Sequence, residues 1–108
     1  MKKILLLCSA GMSTSIVVKK MREAAELKGV ECEIEAMGLE QFHSNLDEYD
    51  VFLLGPQVRF KKDELNKIAN EVNKTVEVIN SMDYGMMKGE KILDFALELI
   101  GKLGGSHE

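Results

Sequence analysis

The eight residues Cys8-Ser9-Ala10-Gly11-Met12-Ser13-Thr14-Ser15 bring together one thiol, four hydroxyls and a glycine. A thiolate is a strong nucleophile. Small residues around a glycine let successive backbone N–H groups converge on one point. Where such a segment opens a helix, the unsatisfied amides of the first turn and the helix dipole favour an anion, whether a phosphate dianion or the thiolate that attacks phosphorus. The chemistry implied is attack by Cys8 on a phosphoryl group cradled by Ser9, Ala10, Gly11, Met12, Ser13, Thr14 and Ser15. The plainer alternative makes Cys8 the last apolar residue of a buried strand, since free cysteine is commonly buried.

Other phosphate-handling patterns fail on the same residues. A nucleotide P-loop needs Gly-Lys-Ser/Thr after its glycine, and a dinucleotide fingerprint needs three spaced glycines. This turn has no lysine and one glycine. An aspartyl-phosphate receiver needs a carboxylate at the end of its third strand, where this chain has Leu54-Gly55 and places Asp50 before the strand. A low-molecular-weight cysteine phosphatase needs an arginine six positions after its cysteine, and here that position is Thr14. A guanidinium there would neutralise charge on the transferring group and, with a general acid, speed hydrolysis. A loop of amides and hydroxyls binds a phosphoryl group without committing it to water, which suits a carrier better than a hydrolase. For the same reason Asp83-Tyr84 is not read as a phosphatase's general acid.

The elements that position the loop follow from periodicity. Lys3 to Cys8 is a short apolar run, predicted as a strand covered on both faces. A helix is expected from Ser13 or Thr14 to Lys28, with Val17, Met21, Ala24 and Ala25 at helical spacing and Gly29 as its stop. Glu31 to Ala36 alternates acidic with apolar, as an edge strand with one wet face does. Val51 to Leu54 is wholly apolar and ends at Gly55-Pro56, so it belongs in the centre of the sheet. Leu65, Ile68, Ala69 and Val72 form one helical stripe behind Asp63 and Glu64; Thr75 to Ile79 is a short strand; Glu90 to Leu103 is a helix ending at Gly104-Gly105. The stretch Gly38 to Asp50 is ambiguous.

Alternating strands and helices imply right-handed βαβ units. The fold expected is a single α/β domain over residues 1–104 with a polar tail at 105–108. Its four-stranded parallel sheet has the order 2-1-3-4 and helices on both faces. That order opens a crevice at the C-terminal ends of strands one and three, where such sheets bind ligands, and Cys8 sits there.

The chain has 108 residues, 18 acidic and 14 basic, for a net charge of −4. Its basic residues are scattered among acidic ones, which argues against nucleic acid or an anionic membrane surface as the main partner. No apolar run approaches the roughly 20 residues that span a bilayer, so a soluble cytoplasmic protein with no direct membrane insertion is expected. Cys8 and Cys32 match no metal-ligand spacing and a reducing compartment suits them; no metal or cofactor is expected. Cys32 alternates inward and reads as inert, while His43 and His107 read as solvated.

The opening ILLLCSAGMSTSIVVKKM, the middle DVFLLGPQVRF and the late MDYGMMKGEKIL resemble the enzyme IIB subunits of the bacterial sugar phosphotransferase system, lactose/cellobiose type. The resemblance covers nearly the whole chain. It implies a phosphotransferase in which Cys8 takes a phosphoryl group from a histidine of a IIA protein. Cys8 then passes it to a sugar held by a IIC membrane protein, a β-linked disaccharide such as cellobiose or chitobiose. Successive transfer asks for an exposed thiol and an apolar docking surface around it, for which Met12, Val58, Phe60, Met86 and Met87 are candidates. Ordinary core packing is the alternative for each. Tyr84 is a candidate to bond a phosphate oxygen or to sit in that interface. Two other classes stay open: a phosphatase or oxyanion reductase using Cys8, and a module that binds anions without covalent chemistry.

Overall fold

The computed structural model describes residues 1–9 and 12–105, with side chains described for all of these except 12, 13 and 102–105. The tail residues 106–108, His107 among them, and Ala10 and Gly11 of the expected cradle lie outside the described residues. The elements run β1 (Lys2–Cys8), α1 (Met12–Lys28), β2 (Cys32–Gly38), β3 (Val51–Leu54), α2 (Lys62–Asn70), β4 (Val76–Val78), α3 (Ser81–Gly85) and α4 (Gly89–Gly105). All strand pairs are parallel and the order is β2-β1-β3-β4.

The uninterrupted apolar runs decide that order. Ile4 to Leu7 and Val51 to Leu54 are fully buried because each lies between two neighbouring strands and under cover on both faces. Their side chains alternate between two cores. Ile4, Leu6, Val51 and Leu53 pack with Val17, Met21, Ile92 and Ala96 of α1 and α4. Leu5, Leu7, Phe52 and Leu54 pack with Leu65 and Ala69 of α2, Phe42 and Tyr49. Each such side chain contributes roughly 1.5–3 kcal/mol by leaving water, and a one-residue slip would exchange the two faces. Burial therefore fixes the register that sets Cys8 opposite Gly38 and Leu7 opposite Leu54.

Expected and observed elements differ in several places, among them the short helix α3, which periodicity does not predict. The stretch 38–50 holds two short 3₁₀ turns, Leu39–Gln41 and His43–Asn45, with Phe42 between them fully buried and edge-on to Phe52 at 5.1 Å. Val72 does not extend the α2 stripe: the helix ends at Asn70, Asn73 turns the chain with φ 61°, and Val72 is exposed. Between β3 and α2 the chain winds into a 3₁₀ turn, Pro56–Lys61. Gly29, at φ 68°, stops α1 as its sequence implies. Among the described residues no helix is long and apolar enough to cross a membrane.

Candidate functional site

β1 delivers Cys8 to the C-terminal edge of the sheet, and α1 begins four residues later, at Met12. The thiol Sγ lies 3.3 Å from the hydroxyl Oγ1 of Thr14, which is itself wholly buried in the first turn of α1. A glycine stands at the end of each strand flanking β1: Gly38 is the last residue of β2, and Gly55 directly follows β3. Gly38 pairs with Cys8, and Gly55 donates its N–H to the carbonyl of Leu7 at 2.9 Å. A Cβ added at Gly55 would lie 3.5 Å from the Cβ of Cys8, whereas one added at Gly38 would run into the carboxylate of Glu40. Periodicity marks Gly55 only as a strand stop and gives Gly38 no role; the available signal is a glycine at or just after the end of each strand adjacent to β1.

Cys8 is 3% exposed, where transfer between partners asks for an accessible thiol. The cause is its place as the last residue of a central strand, with strands on both sides and Thr14 against the sulfur. Ser9, the next residue, is exposed, and so is Ser15. The arrangement thus has the thiol at the floor of the edge and hydroxyls toward solvent.

The apolar candidates separate. Phe60 is 74% exposed, and Met86 and Met87 are exposed as well. Val58 is 2% exposed and belongs to the core on the α2 face, so it is no docking residue. Its backbone leaves helical geometry inside the 3₁₀ turn, at φ −117° and ψ 24°, while its N–H bonds the carbonyl of Gly55 at 3.0 Å. Tyr84 is half-buried on α3 and packs against the α1/α4 core. Asn80 caps that helix through its side-chain oxygen, which accepts from the N–H groups of Met82 and Asp83. His43 is exposed and stands edge-on to Phe42.

A cavity of about 370 Å³ lies beside α3, lined by Val78, Ile79, Asn80, Asp83, Ile92 and Phe95. It does not take in Cys8. Cys32, at the start of β2, is half-buried, and burial pushes its thiol above the ordinary range while the Lys2 ammonium pulls it down. Neither cysteine is in a disulfide.

Residues 3–95 match the family model described as the lactose/cellobiose-specific IIB subunit of the PTS system. The chain is 49% identical over 100 residues to an oligo-β-mannoside-specific EIIB component of Bacillus subtilis, covering 93% of this chain and 97% of that one. It is 43% identical over 104 residues to a cellobiose-specific EIIB component of Lactococcus lactis, covering 92% and 96%. A galactose-specific EIIB component of Lactococcus lactis matches at the same 43% identity, again covering 92% and 96%. Among solved structures, a cellobiose-specific IIB component from Borrelia burgdorferi superposes with TM-score 0.79 at 40% identity, over 94% of this chain and 93% of that one. The lactose-specific IIB domain from Streptococcus pneumoniae superposes with TM-score 0.82 at 24% identity, over 91% and 96%, a likeness of fold.

Proposed function

Because the chain belongs to the lactose/cellobiose-specific IIB subunits of the sugar phosphotransferase system, we propose that it carries a phosphoryl group on the sulfur of Cys8 between two partners. The donor is the phosphohistidine of a IIA protein. The Cys8 sulfur attacks phosphorus, the S–P bond forms as the P–N bond breaks, and the thiol proton ends on the leaving imidazole. In the second transfer a sugar hydroxyl at a IIC membrane protein attacks the same phosphorus. The O–P bond forms, the S–P bond breaks, and the hydroxyl proton returns to the thiol.

The observation that supports this most is the meeting of Cys8 with the first turn of α1, sulfur 3.3 Å from Thr14 Oγ1, with Gly55 beside it after β3. Helix-start amides and hydroxyls from Ser9 to Ser15 hold an anion without an arginine's full charge. The residue six positions after the cysteine is the buried Thr14, so the loop keeps the phosphoryl group rather than hydrolysing it. Rate comes from alignment within each transient complex. Phe60, Met86 and Met87, with Met12 and Tyr84, form the docking surface of this reading; the substrate arrives on a partner, so no deep cavity at Cys8 is required. The domain of residues 1–104 works in the cytoplasm, where the IIA donor and the inner face of IIC both meet it.

The sugar is a β-linked disaccharide such as cellobiose or chitobiose, a reading supported by the β-linked saccharides for which two relatives are specific, an oligo-β-mannoside and cellobiose, although a third is galactose-specific. A chase experiment tests this. The protein is loaded with labelled phosphoryl groups from phosphoenolpyruvate through the general phosphotransferase proteins and a IIA protein, then mixed with IIC membranes and single sugars. Label should leave the protein for a β-linked disaccharide and stay put with α-linked ones. Release to water at the same rate with no sugar present would favour a hydrolase instead.

A further inference from the structure

We infer that the side chain of Gln57 is a phosphoryl contact of this site, donating a hydrogen bond from its carboxamide to the group on Cys8; the inference rests on the phosphocysteine reading above. Gly55 has φ −61° and ψ 149°, a conformation any residue adopts, so its glycine serves space and not backbone freedom. A Cβ added to Gly55 would lie 2.7 Å from Gln57 Oε1 and 3.5 Å from the Cβ of Cys8. The carboxamide therefore folds back over the bare Cα of Gly55, on the flank of Cys8. Pro56 and the 3₁₀ turn it opens place the exposed Gln57 three residues beyond the end of the central strand β3.

A phosphoryl oxygen on Cys8 stands three bonds from that Cβ, which brings it within reach of a side chain already on this flank. A carboxamide offers two N–H donors and one acceptor, and rotation about its last torsion exchanges which of them faces the sulfur. A neutral donor suits a carrier. It steadies the dianion without the fixed positive charge that an arginine would bring to the transition state for attack by water. The glycine at position 55 then has a purpose in the chemistry: it keeps open the space through which Gln57 approaches.

The test compares wild type with Gln57→Ala, Gln57→Glu, Gly55→Ala and the double variant Gly55→Ala/Gln57→Ala. The variants are loaded from the IIA protein, and their phosphorus resonance is titrated after the donor is removed. Gln57→Ala should slow loading about tenfold, the lower end for a hydrogen bond to a charged group. It should also move the phosphoryl titration midpoint up, by about half a unit, because a bond to the dianion favours that form. Gln57→Glu should move it further, through repulsion between carboxylate and phosphoryl group. Gly55→Ala should shift it in the same direction by displacing the carboxamide, and the double variant should add little beyond Gln57→Ala. A residue that merely contacted the IIA protein would slow loading and leave the midpoint of the isolated phosphoprotein where it was, and that result overturns the inference. So would a wild-type midpoint in both position 57 variants while loading on Cys8 proceeds. A wild type that takes up no phosphoryl group at Cys8 instead overturns the phosphocysteine reading on which the inference rests.

Discussion

Cys8 and Cys32 lie on adjacent strands of one parallel sheet, neither in a disulfide, and they stand at its opposite edges. Cys8 closes β1, next to the first turn of α1, whereas Cys32 opens β2, four residues after α1 has ended at Lys28. In a parallel sheet with crossover helices, one edge collects strand C-termini and helix N-termini, while the other collects the reverse. The first edge favours anions and the second does not. At Cys32 desolvation outweighs the pull of Lys2, so the thiol stays protonated to higher pH than an ordinary one. Under the proposed function, the same functional group serves as a nucleophile at one edge and as a packing residue at the other.

The sharpest way to break this comparison is to remove each thiol in turn. Cys8→Ser should abolish acceptance of phosphoryl groups from the IIA protein and Cys32→Ser should leave its rate unchanged, both followed by intact mass over time. Next in size is Thr14→Val, which keeps the buried volume and deletes the hydroxyl beside the sulfur. Loading should slow about tenfold, with a loss of about 1 kcal/mol in denaturant unfolding, the ordinary net value of one hydrogen bond.

A smaller effect is expected from the chemistry of Cys32 alone. In a Cys8→Ser background, its alkylation by iodoacetamide should lag a free cysteine at neutral pH and catch up only at higher pH. A raised pKa means less thiolate at any given pH. In urea the lag should vanish, since desolvation ends with unfolding; a lag that survived unfolding would remove the burial argument. The smallest change is Lys2→Gln. Losing the cation that pulls the Cys32 thiol down should push its alkylation profile slightly further toward alkaline pH, never toward acid.

Most of the fold was legible because its signals are local. The runs Ile4 to Leu7 and Val51 to Leu54 can only be strands covered on two faces, and the alternation at β2 marks an edge, which together determine the strand order. Phe42 was not legible. A single aromatic in a polar stretch has no period, and only the depth of the α2-face core shows why it is there. Val58 and Val72 exchanged expectations for a related reason: the turn after Gly55 rotates Val58 inward, and the early end of α2 leaves Val72 outside. Both depend on turn geometry that composition does not encode strongly.

The site divides in the same way. The proposed nucleophile Cys8 and the hydroxyl run proposed as its cradle were legible because they are consecutive residues. Gln57 and Gly55 are 49 and 47 residues away from Cys8 and reach it only through the pairing of β1 with β3. Their relation is a distance across strands, which no reading along one chain supplies.

The proposed function stands or falls on whether the phosphoryl group resides on Cys8. The most direct measurement is to load the wild-type protein from phosphoenolpyruvate through the IIA protein, digest it at neutral to alkaline pH, and locate the modified residue by fragmentation mass spectrometry. A single phosphoryl group on the peptide carrying Cys8, with the Cys32 peptide unmodified, is the predicted result. A loaded protein whose phosphoryl group maps to His43, to a serine of the loop or to Cys32 would contradict it.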